Sequence, residues 1–255
     1  MTGDAVLAAC ADRLRGARHV AVLTGAGISA ESGIPTFRDA LTGLWARYRP
    51  EDLATPEAFA RDPRLVWEWY AWRRAIVQQA EPNAGHHALA RLGRLAPTCV
   101  LVTQNVDGLH QRAGSARVLE LHGNILRTRC SREGRVVERW ADGPEVPPRC
   151  AACGAPLRPD VVWFGEPLPV EALRAAWDAA SLCDVFLSVG TSNLVEPAAS
   201  LPWRAAAAGA EVIVINTAVA GQRTGPRIHH LVGCAGEVLP TLLAAAWPNR
   251  PTAAS

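Results

Sequence analysis

Short apolar runs alternate along this chain with stretches of helical periodicity, and most of the runs end in a polar loop. Residues 19–23, 98–103, 184–189 and 211–215 read as buried strands, with a shorter one near Val118. Amphipathic stretches lie at 63–80, 84–95, 170–180 and 197–208, and another at the N-terminus carries Asp4 and Asp12. Strands alternating with helices predict an α/β fold, a Rossmann-like parallel sheet with helices on both faces. Two segments break the rhythm. Residues 35–81 are helical and crowded with tryptophan, and those from about 123 to 160 are rich in Arg, Pro and Cys. The expected organisation is a Rossmann-like domain from 1–34, 82–121 and 161–247, with a smaller inserted domain from 35–81 and 122–160. The smaller domain joins a helical segment to a Cys-containing module, and a ligand cleft is expected between the two domains. Residues 248–255 read as a disordered tail.

Composition narrows the function classes. The 255 residues suit one large domain or one domain with an insert, and 49% hydrophobic content supplies a sizeable core. A net charge of +2 gives no case for a general nucleic-acid binder. All 26 of the basic Lys/Arg positions are arginine. No apolar run is long enough to cross a membrane, and the N-terminus does not read as a signal peptide. Seven cysteines, an odd and mostly scattered set, point to a reducing compartment and a cytoplasmic protein.

The candidate chemistry sits in the loops that follow the strands. Gly25-Ala26-Gly27-Ile28-Ser29-Ala30 comes straight after the first strand and runs into Glu31-Ser32-Gly33-Ile34-Pro35-Thr36-Phe37-Arg38. Glycines at the first and third positions with a small sixth residue suit a dinucleotide-binding turn. Gly25 permits the tight turn, Gly27 lets the backbone approach a pyrophosphate, and Ala30 allows close helix–strand packing. The acidic residue expected about 20 residues further on is not evident. The serines and the Phe37-Arg38 pair point to a more specialised nucleotide site. Three further clusters follow later strands: Gln104-Asn105-Val106-Asp107-Gly108-Leu109-His110, then Gly190-Thr191-Ser192, then Asn216-Thr217. Ligands of open α/β sheets bind beyond the C-terminal strand ends. One such loop reads equally well as turn formers capping a helix. Four at one edge favour a ligand site.

Together with Leu121-His122-Gly123 and Val162-Trp163-Phe164-Gly165-Glu166, these motifs resemble the sirtuins, the NAD-dependent protein-lysine deacylases. Order and spacing match from about residue 15 to 243. The resemblance implies cleavage of the glycosidic bond of NAD and transfer of an acyl group from lysine to ADP-ribose. It implies that Ala26, Gly27 and Ser29 hold the diphosphate, beside Gly25, and that Phe37 and Arg38 lie in a loop closing over the cofactor. It places Gln104, Asn105 and Asp107 around nicotinamide and ribose, and Gly190, Thr191 and Ser192 on the phosphate side. Asn216 would bind the adenosine ribose, and Ala235 would touch adenine. Val162, Trp163, Phe164 and Gly165 would form a strand pairing with the acyl-lysine substrate backbone.

His122 is the expected general base, because an imidazole can take a ribose hydroxyl proton at neutral pH; the competing reading is a buried structural histidine. Tyr70 and Arg73 lie at i and i+3 on one helical face. In this position a Tyr-x-x-Arg pair resembles the class III sirtuins, which remove malonyl, succinyl and glutaryl groups, since Arg73 offers a fork for the acyl carboxylate and Tyr70 a hydroxyl donor. The bland alternative is an aromatic stripe with Arg73 reaching to solvent.

The metal module departs from the family pattern of two Cys-x-x-Cys pairs. Cys150 and Cys153 form the second pair, but the first reads Cys130-Ser131-Arg132-Glu133. Either zinc is held by Cys130, Cys150 and Cys153 with Glu133 or water as the fourth ligand and Glu138 behind it, or the module packs without metal around Trp140. Two rival functions remain. One is an ADP-ribosyltransferase or NAD glycohydrolase using the same pocket. The other is a non-enzymatic zinc ribbon on nucleic acid, which the near-neutral charge disfavours.

Overall fold

A computed structural model describes residues 3–36, 46–140, 145–218 and 224–249. Helix α1 (Gly3–Gly16) leads into strand β1 (His19–Thr24) and the short helix α2 (Ala26–Ala30). Helices α3 (Pro50–Leu53), α4 (Pro56–Arg61), α5 (Pro63–Gln79) and α6 (Ala84–Leu95) follow, then β2 (Thr98–Thr103), α7 (Leu109–Arg112) and β3 (Val118–Glu120). Next come β4 (Gly123–Cys130), β5 (Leu157–Val161), α8 (Val170–Leu182), β6 (Val185–Val189), α9 (Leu201–Ala207), β7 (Glu211–Asn216), β8 (Ile228–Val232) and α10 (Ala235–Ala246). The expected tail falls almost wholly outside the described residues.

Six strands form one parallel sheet in the order β3-β2-β1-β6-β7-β8. Strand order reverses between β1 and β6, which puts the topological switch point at the C-terminal edge beside the loops after these two strands. The central strands are apolar on both faces, as a sheet covered on both sides requires. One core cluster packs α1, α6 and α10 on one side through Leu14, Leu92, Leu239 and Leu242. Another packs α8 and α9 through Ala176, Ala180, Leu201 and Ala205.

The expected strands and helices are present, with one division: 197–208 is a 3₁₀ turn (Ala198–Ser200) followed by α9. Strand β8 and helix α10 were not expected. In β8 the pair His229-His230 interrupts the apolar run, and only pairing with β7 makes it a strand. In α10 the breaker Pro240 lies inside the helix.

The two irregular segments pack together beside the sheet. β4 and β5 form an antiparallel pair. A third cluster joins α3–α5 to it through Leu53, Phe59, Val66, Trp69, Tyr70, Ile125, Val161 and Trp163. A small fourth cluster, Cys130, Cys150, Ala155 and Leu157, lies under Trp67 and Trp140.

Candidate active site

The four polar loops converge at the C-terminal edge of the sheet. Gly25 N–H donates to Val189 O (3.0 Å) and Gly27 N–H to Gly190 O (2.8 Å), tying the loop after β1 to the loop after β6. A Cβ on Gly27 would lie 2.7 Å from Gly190 O, and one on Gly190 would lie 2.5 Å from Ile28 N. The two loops touch backbone to backbone, and only glycine permits it. Gly25 departs from expectation. Its φ of −126° and ψ of −174° suit any residue. It must be glycine because a Cβ would meet Thr191 Cβ at 2.8 Å.

Side chains complete the junction. Gln104 Nε2–H donates to Thr191 Oγ1 (3.0 Å), and Asn216 Nδ2–H to Thr191 O (3.1 Å). Asn105 Nδ2–H donates to Gly25 O and Ser29 Oγ, both at 3.0 Å. Ser29 Oγ–H donates in turn to Asp107 Oδ2 at 2.7 Å. Leu109 N–H reaches Asp107 Oδ1 (2.9 Å). Burial pushes the Asp107 carboxyl up, while the Leu109 and Ser29 donors pull it down. Thus residues from all four loops form one network, and Ala26 and Ser192 lie exposed at its rim. Ala235 does not join it: it is buried in the core cluster with Ile28. Phe37 and Arg38 lie outside the described residues.

His122 links β3 to β4, and its Nδ1 lies 2.9 Å from Gln104 O. A carbonyl only accepts, so Nδ1 carries the proton and the neutral ring presents a lone pair at Nε2. Burial lowers the His122 pKa below its ordinary 6.5, and the Gln104 contact partly opposes this.

Val162–Gly165 does not form the expected strand. β5 ends at Val161 and the segment turns. Its donors are engaged within the chain: Val162 N–H to His122 O and Phe164 N–H to Ala54 O, both 2.9 Å, and Trp163 N–H to Glu166 Oε2, 2.8 Å. Gly165 sits at φ +87°, which ends any extended run. A part-buried ion pair holds the turn. Arg158 contacts both Glu166 oxygens (2.6 and 2.8 Å), and its guanidinium lies 3.3 Å from the Trp163 ring centroid. Glu166 lay within the quoted motif, but Arg158 carries no local signal.

Tyr70 and Arg73 share a face of α5. Tyr70 is buried, and Trp163 Nε1–H donates to its Oη at 3.1 Å. Burial pushes the phenol pKa far up. Arg73 is half-buried beside the Trp69 ring, 5.2 Å from its centroid. Burial lowers the Arg73 pKa, whereas the charges of Tyr70 and Asp107 oppose this.

Cys130, Glu133, Cys150 and Cys153 form a separate cluster, with their donor atoms all within 4.8 Å of one another. Cys130 Sγ and Cys153 Sγ are 3.4 Å apart. Tetrahedral zinc with Zn–S near 2.3 Å sets sulfurs about 3.8 Å apart, so these residues fit zinc with a small outward shift. Backbone N–H groups of Ala152 and Cys153 aim at Cys150 and hold its thiol below the usual range. Glu138 is exposed and outside the cluster. An open groove of about 560 Å³ runs between β3, α8 and the β4–β5 sheet. Of the residues expected in the site it takes only Val162.

A Rossmann-like sheet with glycine-packed, polar loops at its switch point defines a dinucleotide-site protein. Residues 25–197 match the model of the Sir2 family. The chain is 56% identical over 233 residues to NAD-dependent protein deacylase 2 of Pyrobaculum aerophilum, covering 91% of this chain and 93% of that protein. It is 54% identical to NAD-dependent protein deacylase 1 of Pseudomonas aeruginosa, covering 94% and 99%. A crystal structure of a Sir2 homologue–NAD complex superposes with a TM-score of 0.83 at 44% identity, covering 93% of each chain. Sir2Af2 bound to a myristoylated histone peptide gives 0.74 at 36% identity, covering 96% and 98%. The chain belongs to the Sir2 family.

Proposed function

We propose that this protein is an NAD-dependent protein-lysine deacylase that prefers succinyl- and malonyl-lysine to acetyl-lysine. The observation that carries the acyl preference is the donor set around Tyr70. Because Trp163 Nε1–H donates to Tyr70 Oη, the phenol's own proton is free to donate elsewhere. Arg73, on the same helical face, adds a cationic fork. A pocket for acetyl alone gains nothing from a half-buried arginine, whereas an acyl carboxylate repays its desolvation with charge-assisted hydrogen bonds.

The glycine junction and the buried Asn105–Ser29–Asp107 set fit a dinucleotide, since side-chain-free backbone there lets a pyrophosphate approach over a polar floor. Bound NAD supplies an anomeric carbon that the acyl-lysine oxygen attacks as nicotinamide departs. Ala26, Gly27, Ser29, Gly190, Thr191 and Ser192 bind the diphosphate side, and Asn216 the adenosine ribose. Gln104, Asn105 and Asp107 orient nicotinamide and its ribose. His122 Nε2 accepts the proton of a ribose hydroxyl, with Nδ1 held by Gln104 O. Phe164, half exposed on a locked turn, walls the acyl-lysine entrance. Cys130, Cys150, Cys153 and Glu133 would hold a zinc ion that would fix the module's shape, apart from the reacting groups. Free thiols at all seven cysteines suit the reducing cytoplasm.

The test is a panel of acyl-lysine peptides incubated with NAD and read by mass spectrometry. The expected products are nicotinamide and O-acyl-ADP-ribose, formed fastest from succinyl- or malonyl-lysine. ADP-ribosylated protein or free ADP-ribose without acyl transfer would overturn the deacylase reading, and faster acetyl removal would overturn the acyl preference.

A further inference from the structure

Two histidines lie back to back beneath the site, and no catalytic step described above uses them. His86 in α6 is fully buried and His110 in α7 is 1% exposed. Their ring centroids are 4.9 Å apart at an interplanar angle of 54°. Among the described residues His86 Nε2 and His110 Nδ1 are both buried without a hydrogen-bond partner within bonding geometry. Two orphaned polar atoms would be costly at such depth unless they serve one another.

Their polarities follow from a fixed donor. Asn83 N–H points at His86 Nδ1 at 3.3 Å. A backbone N–H only donates, so Nδ1 is bare and the neutral ring carries its proton on Nε2. Burial lowers the His86 pKa to about 4 and the His110 pKa to about 3, so both rings are neutral near pH 7. The His86 Nε2–H needs an acceptor, and the other orphaned nitrogen of the ring pair is His110 Nδ1. That choice puts the His110 proton on Nε2, which lies 2.8 Å from Thr24 Oγ1. Thr24 then accepts from His110 and donates to Thr103 Oγ1 at 2.8 Å. Thr103 Oγ1 also accepts from Asn105 N–H at 3.0 Å.

We infer that His86 and His110 are positioning residues: with Thr24 and Thr103 they form one directional hydrogen-bond chain that fixes the backbone of Asn105 in the cofactor site. The chain starts at the α6 cap, where Asn83 Nδ2–H also holds Ile28 O (2.7 Å) and Ser32 Oγ (3.0 Å) of the first loop. It ends at the residue whose side chain grips Gly25 and Ser29. The loops after β1 and β2 are thus set by one buried relay. These tautomers give the His110 Nε2–H an acceptor in Thr24 and leave the two orphaned ring nitrogens as a matched donor and acceptor. The role rests on the reading of Asn105 as a cofactor ligand.

Long-range ¹H–¹⁵N spectra of ¹⁵N-histidine-labelled wild-type protein at pH 7 test the relay directly. Both His86 and His110 should be neutral with the proton on Nε2. An Nδ1–H tautomer or a charged ring at either position would overturn it. Thr24→Val and His110→Phe test the role, with NAD affinity read by calorimetry and KM for NAD and acyl-peptide read from nicotinamide release. Each should weaken NAD about five- to tenfold, the scale of one buried hydrogen bond, and the acyl-peptide KM should change less than twofold. The double variant should be no worse than the weaker single, and Thr24→Ser should restore NAD affinity. Additive losses, equal shifts in both KM values, or unchanged NAD affinity would overturn the positioning role. If wild-type protein binds no NAD, the proposed function falls and this role with it. If wild-type binds NAD and the variants bind it equally well, this role alone falls.

Discussion

The sheet edge and the cysteine module solve the problem of holding polar groups in opposite ways. At the sheet edge, Ser29, Gln104, Asn105, Asp107, Thr191 and Asn216 each have partners from another loop, and the loops themselves meet through glycine backbone. Parallel strands on a large core place every one of those loops. In the module, three thiols and a carboxylate crowd within 4.8 Å over a core of four buried residues. Ionised together, four such ligand groups would repel one another. The first region is tied together by hydrogen bonds across its own loops; in the second, four potential ligand atoms face one another over a far smaller core. Substitutions at the edge should therefore change chemistry with the fold kept, and substitutions in the module should change the fold with the chemistry following.

The largest effect belongs to His122. His122→Ala removes the Nε2 lone pair and should cut turnover by about 10²-fold or more, with NAD affinity by calorimetry little changed. Turnover near that of wild type would take His122 out of the mechanism. Next is Arg73→Met, which keeps an apolar wall and deletes the charge. The ratio of kcat/KM for succinyl- over acetyl-peptide should fall about ten- to a hundredfold, and Tyr70→Phe should lower it less. An unchanged ratio in Arg73→Met would mean that Arg73 supports α5 and does not read the acyl group.

The module is tested by metal. Purified protein should carry about one zinc, and a strong chelator should lower Tm by about 5 °C or more, the scale of losing a couple of kcal/mol in a chain this size. Cys150→Ser should do the same, and Glu133→Cys should slow zinc loss to the chelator. Zinc-free protein that is folded and active would show that packing around Trp140 holds the module, and would erase the contrast with the sheet edge.

The smallest effect on turnover at pH 7 comes from beneath the edge, where the readout is the pH dependence of stability. His86 and His110 have folded pKa values of about 4 and about 3, against about 6.5 in the unfolded chain. Below that unfolded value the unfolded state binds more protons, so stability declines as pH falls from about 6.5 towards 4. The slope near pH 5 should reach about 2–3 kcal/mol per pH unit from the pair. Urea denaturation between pH 7 and pH 5 measures it, and a flat profile would contradict the burial of neutral imidazoles.

Periodicity alone was enough to place β1, β2, β6, β7 and the helices α5, α6 and α8, because each buries a stripe or a run that is continuous in the chain. The same locality located the polar loops at strand ends, and with them most of the candidate site. It failed where the decisive partner is distant. The histidine pair in β8 looks unlike a strand until β7 pairs with it, and Val162–Gly165 looks extended until Ala54, His122 and Glu166 take its N–H groups. Gly25 reads as a tight turn, yet Thr191, 166 residues further on, is what excludes a side chain there. Residue types and their order determined which groups this protein has available, since chemistry and local propensity are written position by position. Tertiary structure decided which of those groups satisfy one another. Hydrogen-bond direction, burial and the tautomers of His86, His110 and His122 depend on atoms brought together from loops far apart in the chain.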